Sequence, residues 1–112
     1  MSSFELEIRY ANQPTETRSF SQPKLHIGRD AGDIALHDPQ VSGRHAEITF
    51  DGATVTFTDI GSTNGSFAQS GQRIYASKPL AVGEFVRLGN SAILLKSVGA
   101  GAAAPAQPPQ DL

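Results

Sequence analysis

Three short pieces of the sequence bring together side chains that can hold a small anion. Ile27-Gly28-Arg29 ends an apolar run on a glycine with an arginine directly after it. Val41-Ser42-Gly43-Arg44-His45 and Gly61-Ser62-Thr63-Asn64-Gly65-Ser66 are polar turns. Arginine presents a planar fork of donors that matches the oxygens of a phosphate. A serine hydroxyl adds one donor, and glycines let backbone N–H groups approach closely enough to form an anion nest. Asparagine both donates and accepts, which suits it to a peptide main chain. Taken singly, each piece also reads as an ordinary solvated turn.

Catalytic readings fare worse. Ser42 and His45 have a spacing that invites comparison with a nucleophile and its base, but no orienting acid or oxyanion hole is visible around Ser42. His26, His37 and His45 lack the spacing of metal ligands. The chain has no cysteine, so it offers no thiolate and no disulfide. The residues therefore point away from an enzyme, and no metal or other cofactor is expected.

The elements that must position these turns are strands. Phe4, Leu6, Ile8 and Tyr10 alternate with polar residues, which is the period of a half-buried strand. Thr17 to Phe20 reads as its partner and Lys24 to Ile27 as a third strand. In the middle, Ala46, Ile48 and Phe50 lead to Asp51-Gly52, followed by Val55 and Phe57, which predicts a hairpin on a two-residue turn. Phe85 to Leu88, Gly89-Asn90 and Ser91 to Lys96 predict another. No stretch carries a 3.6-residue apolar stripe, and many short strands with closely spaced turns indicate a sandwich or barrel. The irregular stretches Gly28–Arg44 and Gly61–Ser66 are the long loops on which binding is usually built.

Length and charge bound the rest. At 112 residues the chain fits one domain. A formal charge of −2 argues against long nucleic acid as a partner, while a site for one phosphate needs only two or three donors. The start, Met1-Ser2-Ser3-Phe4-Glu5, lacks the basic and apolar regions of a signal peptide, and the longest aliphatic run is Ala92 to Leu95. These favour a cytoplasmic location without direct membrane contact. From Gly99 the composition turns to Gly, Ala, Pro and Gln, so the domain is expected over 1–98. The tail 99–112 reads as disordered, either an end or a linker to further domains of a longer chain.

In order along the chain, Ile27-Gly28-Arg29, Asp33-Ile34-Ala35-Leu36, Asp38 to Ala46 and Gly61 to Ser66 resemble the forkhead-associated (FHA) domain family. Gly71 to Ile74, Pro79-Leu80, Val82-Gly83-Glu84 and Arg87-Leu88-Gly89 resemble its second half. The resemblance implies an all-β, eleven-stranded sandwich with binding loops at one end. It implies a phosphothreonine-peptide adaptor in kinase-dependent signalling or assembly, whose partner is a phosphothreonine-containing protein. On that likeness Arg29 and Ser42 would bond phosphate oxygens, Arg44 would add charge, Thr63 would lie beside the phosphothreonine, and Asn64 would bond the peptide main chain. Gly28, His45 and Gly65 would support the site. Gly43 belongs to the binding loop but departs from the longer polar residue many members carry, and Ser66 stands where threonine is common. His45 has the parity of the polar residues Glu47 and Thr49, so a loop-propping role requires the strand to begin after it. The alternative reading keeps the sandwich as an interaction module that needs no phosphate. Residues flanking the phosphothreonine would be read near Gln40 and Asn90.

Overall fold

The computed structural model describes residues 2–52 and 54–100. They form eleven strands and no helix: β1 (Ser2–Arg9), β2 (Glu16–Phe20), β3 (Lys24–Gly28), β4 (Ile34–Ala35), β5 (Ala46–Phe50), β6 (Val55–Asp59), β7 (Ser66–Ala68), β8 (Arg73–Ile74), β9 (Ser77–Leu80), β10 (Phe85–Leu88) and β11 (Ser91–Ala100). One sheet has the order β2-β1-β11-β10-β7-β8, the other β4-β3-β5-β6-β9. All pairings are antiparallel except β3 with β4.

The alternation in the sequence becomes the two inner faces. Phe4, Leu6 and Ile8 of β1, Ile93 and Leu95 of β11, and Val86 and Leu88 of β10 are buried from one side. Leu25 and Ile27 of β3, Ala46, Ile48 and Phe50 of β5, and Val55 and Phe57 of β6 are buried from the other. The Phe4 ring lies 5.8 Å from that of Phe20 and 4.7 Å from that of Phe50, which clamps the two layers together at one end. Each such valine, leucine, isoleucine or phenylalanine, fully buried, contributes about 1.5–3 kcal/mol.

The turns divide into one as expected and one not. Leu88 pairs with Ser91, so Gly89-Asn90 is a two-residue turn. Only Gly89 has a positive φ there, at 61°, the arrangement that places glycine first in a II′ turn. The central hairpin is different: Phe50 pairs with Val55, so the connection is the four-residue loop 51–54 rather than Asp51-Gly52 alone. The Asp51 carboxylate accepts the Thr54 N–H at 2.7 Å, and Gly52 takes φ 99°. A side-chain bond to the backbone three residues on favours the wider loop over the tight turn.

Strand β11 continues through Gly99 and Ala100, which pair with Ser3 and Ser2, so the boundary expected after residue 98 falls inside it. The rest of the expected tail, 101–112, lies outside the described residues. Leu6 pairs with Leu95 and Glu5 with Ser97, leaving Lys96 as an extra residue in the ladder. Pro79 is accommodated because β9 is an edge strand.

Candidate functional site

Four connections converge at one end of the sandwich: 29–33 between β3 and β4, 36–45 between β4 and β5, 60–65 between β6 and β7, and the turn 89–90. Leu36 and Val41 anchor the 36–45 connection in the core, and buried polar groups bond the connections to one another.

His45 is the first of these. The strand begins at Ala46, so His45 precedes the pleat and turns inward, fully buried. Its Nδ1 accepts the Ser42 N–H at 3.1 Å, which requires the neutral tautomer with the proton on Nε2. That Nε2–H faces the Gly65 carbonyl and Ser66 Oγ, both at 3.1 Å. Burial lowers the imidazole pKa, an effect only partly offset by the charges of Asp59 and Asp38. Because the ring meets the Ser42 amide, Ser42 and His45 do not form a nucleophile–base pair.

Two carboxylates do similar work, and nothing in the sequence reading singled them out. Asp38 is fully buried. Its Oδ1 accepts the Gln40 N–H at 2.9 Å, and its Oδ2 accepts the Asn90 N–H at 2.7 Å and Ser91 Oγ at 2.9 Å. It therefore ties the 36–45 loop to the 89–90 turn. Asp59 Oδ1 accepts the N–H groups of Gly61 and Ser62, and its Oδ2 accepts the hydroxyls of Ser62 and Ser66. Burial pushes the Asp59 carboxyl up, but the bonds from Ser62, Ser66 and Gly61 outweigh it and hold it below the usual range. The legible signal would have been the aspartate two residues before a loop N–H, as in Asp59-Ile60-Gly61 and Asp38-Pro39-Gln40, since Asx-turns have that spacing.

On this frame Arg29, Ser42, Gly43, Thr63 and Asn64 line one open concavity of about 290 Å³, together with Pro39, Gln40 and Val41. Ser42 joins three connections: its carbonyl accepts the Arg29 N–H at 3.0 Å, its amide bonds His45, and its Oγ accepts the Thr63 N–H at 2.9 Å. The Ser42 O–H is left to donate outward. Arg29 is about half exposed, and among the described residues only its Nε is engaged, with Asp30 at 3.3 Å. Asn64 is exposed, its Nδ2 donates to the Gln40 carbonyl at 2.9 Å, and its Oδ1 accepts no bond among the described residues.

Glycines at the site are there for space. A Cβ on Gly28 would come 2.2 Å from the Gly43 carbonyl oxygen and 2.9 Å from that of Ala31. Gly65 has φ +84°, and a Cβ there would lie 2.7 Å from Arg73 Nε. Arg44 is the residue placed apart. It does not line this concavity but a neighbouring one, with His26, Ile27, Ala31, Gly32, Gly43, Ala46 and Ile60. Its guanidinium has no hydrogen bond or ion pair among the described residues.

The arrangement offers an arginine fork, a serine O–H and an asparagine acceptor within one open cleft. Among the described residues there is no group of three or more His, Asp or Glu side chains able to hold a metal ion.

A model of the FHA domain matches residues 25–89. The chain is 38% identical over 69 residues to the FHA domain-containing protein FhaA of Mycobacterium tuberculosis, which covers 62% of this chain and 12% of FhaA. It is 32% identical over 79 residues to FhaB of the same species, covering 70% of this chain and 50% of FhaB. This chain thus spans half or less of these relatives. Among solved structures, the FHA domain of CT664 from Chlamydia trachomatis superposes with a TM-score of 0.74 at 29% identity, over 83% of this chain and 95% of that one. A domain solved in a structural and functional analysis of phosphothreonine-dependent FHA domain interactions gives 0.71 at 29% identity, over 83% and 96%.

Proposed function

The chain belongs to the FHA domain family, and from that premise we propose that it is a binding module for phosphothreonine-containing peptides or proteins, acting in kinase-dependent signalling or assembly and not as an enzyme. The observation that carries the reading is the convergence of Arg29, Ser42, Thr63 and Asn64 on one open cleft, with the Ser42 O–H and most of the Arg29 guanidinium unspent. A phosphothreonine brings about −1.5 to −2 charges and three acceptor oxygens to such donors. Charge-assisted bonds contribute about 1.5–3 kcal/mol each. Two or three supply about 3–9 kcal/mol before the cost of association, so bonds along the peptide main chain must add to them to reach a low-micromolar dissociation constant, about −8 kcal/mol. The Asn64 Oδ1 is the acceptor for a peptide N–H beside the phosphorylated residue.

Calorimetry with four matched peptides tests this. Phosphothreonine should bind best. Phosphoserine should bind more weakly if a threonine methyl is buried, since one methyl is worth about 0.8 kcal/mol. Glutamate, planar and singly charged, should lose more than tenfold, and unphosphorylated threonine more still. The phosphate's second ionisation lies near pH 6, so affinity for the phosphothreonine peptide should weaken between pH 7.5 and 5.5. Equal affinity across the four peptides would refute the reading and favour an interaction module that needs no phosphate.

A further inference from the structure

Beside the phosphate cleft lies a second concavity of about 320 Å³, more apolar than the first. Its walls come from Ile27, Ala31, Ala46 and Ile60, with Arg44 on its lining. Ile60 is the informative wall. It follows β6 directly, its amide is held by the His45 carbonyl, and 36% of it remains exposed although it is large and aliphatic. Gly43 lines both concavities, and a Cβ there would meet nothing within 4 Å. The ridge between the two cavities at this point is therefore bare backbone, with no side chain on it. Packing does not demand a glycine here, unlike at Gly28.

Charge follows the same line. Arg44 has no acidic partner among the described residues. The carboxylates of Asp33 and Glu47 already face His26, which also lines the cavity, at 3.7 and 3.3 Å. The open charge beside the ridge is thus positive, and it sits next to an apolar hollow.

We propose that this second cavity is a side-chain subsite for the same phosphopeptide. The peptide crosses the Gly43 ridge and places an apolar residue against Ile60, with an acidic neighbour on Arg44. The inference rests on the phosphothreonine reading and adds to it a sequence preference on one flank. Continuity with the phosphate cleft through Gly43 and the unpaired Arg44 select this occupant over an unrelated partner. An apolar side chain entering a partly open hollow should tighten binding about tenfold, equivalent to about 1.4 kcal/mol. An exposed ion pair with Arg44 should add about two- to fivefold.

The test starts from a phosphothreonine peptide with alanine at every flanking position. A leucine is then moved through four positions on each side, and affinities are read by fluorescence anisotropy. One position on one flank should gain about tenfold. Ile60→Asn should abolish that gain while leaving the affinity of the all-alanine phosphopeptide within about twofold. Ala31→Gln, also on the lining, likewise adds no charge beside the phosphate, should do the same, and serves if Ile60→Asn does not fold. Glutamate placed beside that leucine should add about two- to fivefold, and Arg44→Ala should keep the leucine gain and remove the glutamate one. A scan with no gain above twofold overturns the subsite and leaves the phosphothreonine reading intact, as does a gain that survives both wall variants, because the leucine then lodges elsewhere. If the all-alanine phosphopeptide binds no better than its unphosphorylated form, the phosphothreonine reading fails and the subsite fails with it.

Discussion

Replacing His45 by alanine separates an architectural histidine from a ligand contact. The side chain is fully buried and joins two connections by bonds at both ring nitrogens. In His45→Ala the Ser42 N–H and the Gly65 carbonyl lose their partner, whereas Ser66 Oγ keeps Asp59. An unsatisfied buried group costs about 1–3 kcal/mol. Ser42 is only partly buried and water can reach it in part, so the total should be about 2–4 kcal/mol. For a domain near this size that lowers the thermal midpoint by about 10–20 °C. Asparagine places an acceptor near the Nδ1 position but does not reach Gly65, so His45→Asn should fall between the two. A pH signature accompanies this. Burial depresses the folded-state pKa below the ordinary value of 6.5. The unfolded chain therefore takes up a proton first as pH falls. The stability supplied by the neutral ring is fully present above pH 6.5 and declines below it, by up to about 1.4 kcal/mol per pH unit, until the folded value is reached. Calorimetric melts of wild type and His45→Ala from pH 7.5 to 5 would show this as a slope present in the first and missing from the second. A midpoint shift under about 3 °C, or parallel pH profiles, would refute the propping role.

Three other perturbations give distinct outcomes. Gly28→Ala should force the Ser42 loop away, because its methyl cannot coexist with the Gly43 oxygen 2.2 Å away; melting and phosphopeptide titration should both deteriorate. Asp38→Ala should cost about 2–4 kcal/mol by chemical denaturation, since three donors lose their acceptor, and Asp38→Asn should cost less. Arg29→Ala should leave the melt within about 3 °C of wild type and weaken the phosphothreonine peptide ten- to a hundredfold, measured by calorimetry; retained affinity would place the phosphate elsewhere.

The legible parts of the sequence were those with a local cause. Long alternating strands such as β1 and β5 announce their period, and Gly89-Asn90 fits the strict φ demand of its turn. Strands β7, β8 and β9 have two to four residues each, too few for a period, and exist because neighbouring strands offer them partners; only the family likeness marked their place. Motif order groups Arg29, Ser42, Thr63 and Asn64, which line one cleft, whereas Arg44, which the family likeness gives as added charge at the phosphate, lines the neighbouring hollow. Which of two adjoining hollows a loop side chain lines is decided by the folded path of the loop, which has no local sequence signal. Asp38 and Asp59 were unreadable as organisers because each acts on N–H groups whose approach depends on the folded loops. For Asn90, that partner is 52 residues away.

The pairing of Ser2 with Ala100 has a mechanical consequence. The two outermost described residues lie opposite each other at one end of the antiparallel pair β1–β11. The other end, where Arg9 faces Ala92, adjoins the turn at Gly89-Asn90. Ten residues of β11 at about 3.3 Å each put roughly 30 Å between Ala100 and the binding loops. Tension applied through Ser2 and Ala100 would load this ladder across the strands rather than along them, so its hydrogen bonds would break in sequence, like a zipper, instead of together. Four pairs, from Ser2–Ala100 to Glu5–Ser97, would open before the irregularity at Lys96 is reached, and the bonds on Asp38 and His45 would carry no load until most of the pair had opened. A peptide held at the loops would feel a pull on the neighbouring chain only after the sheet had begun to peel.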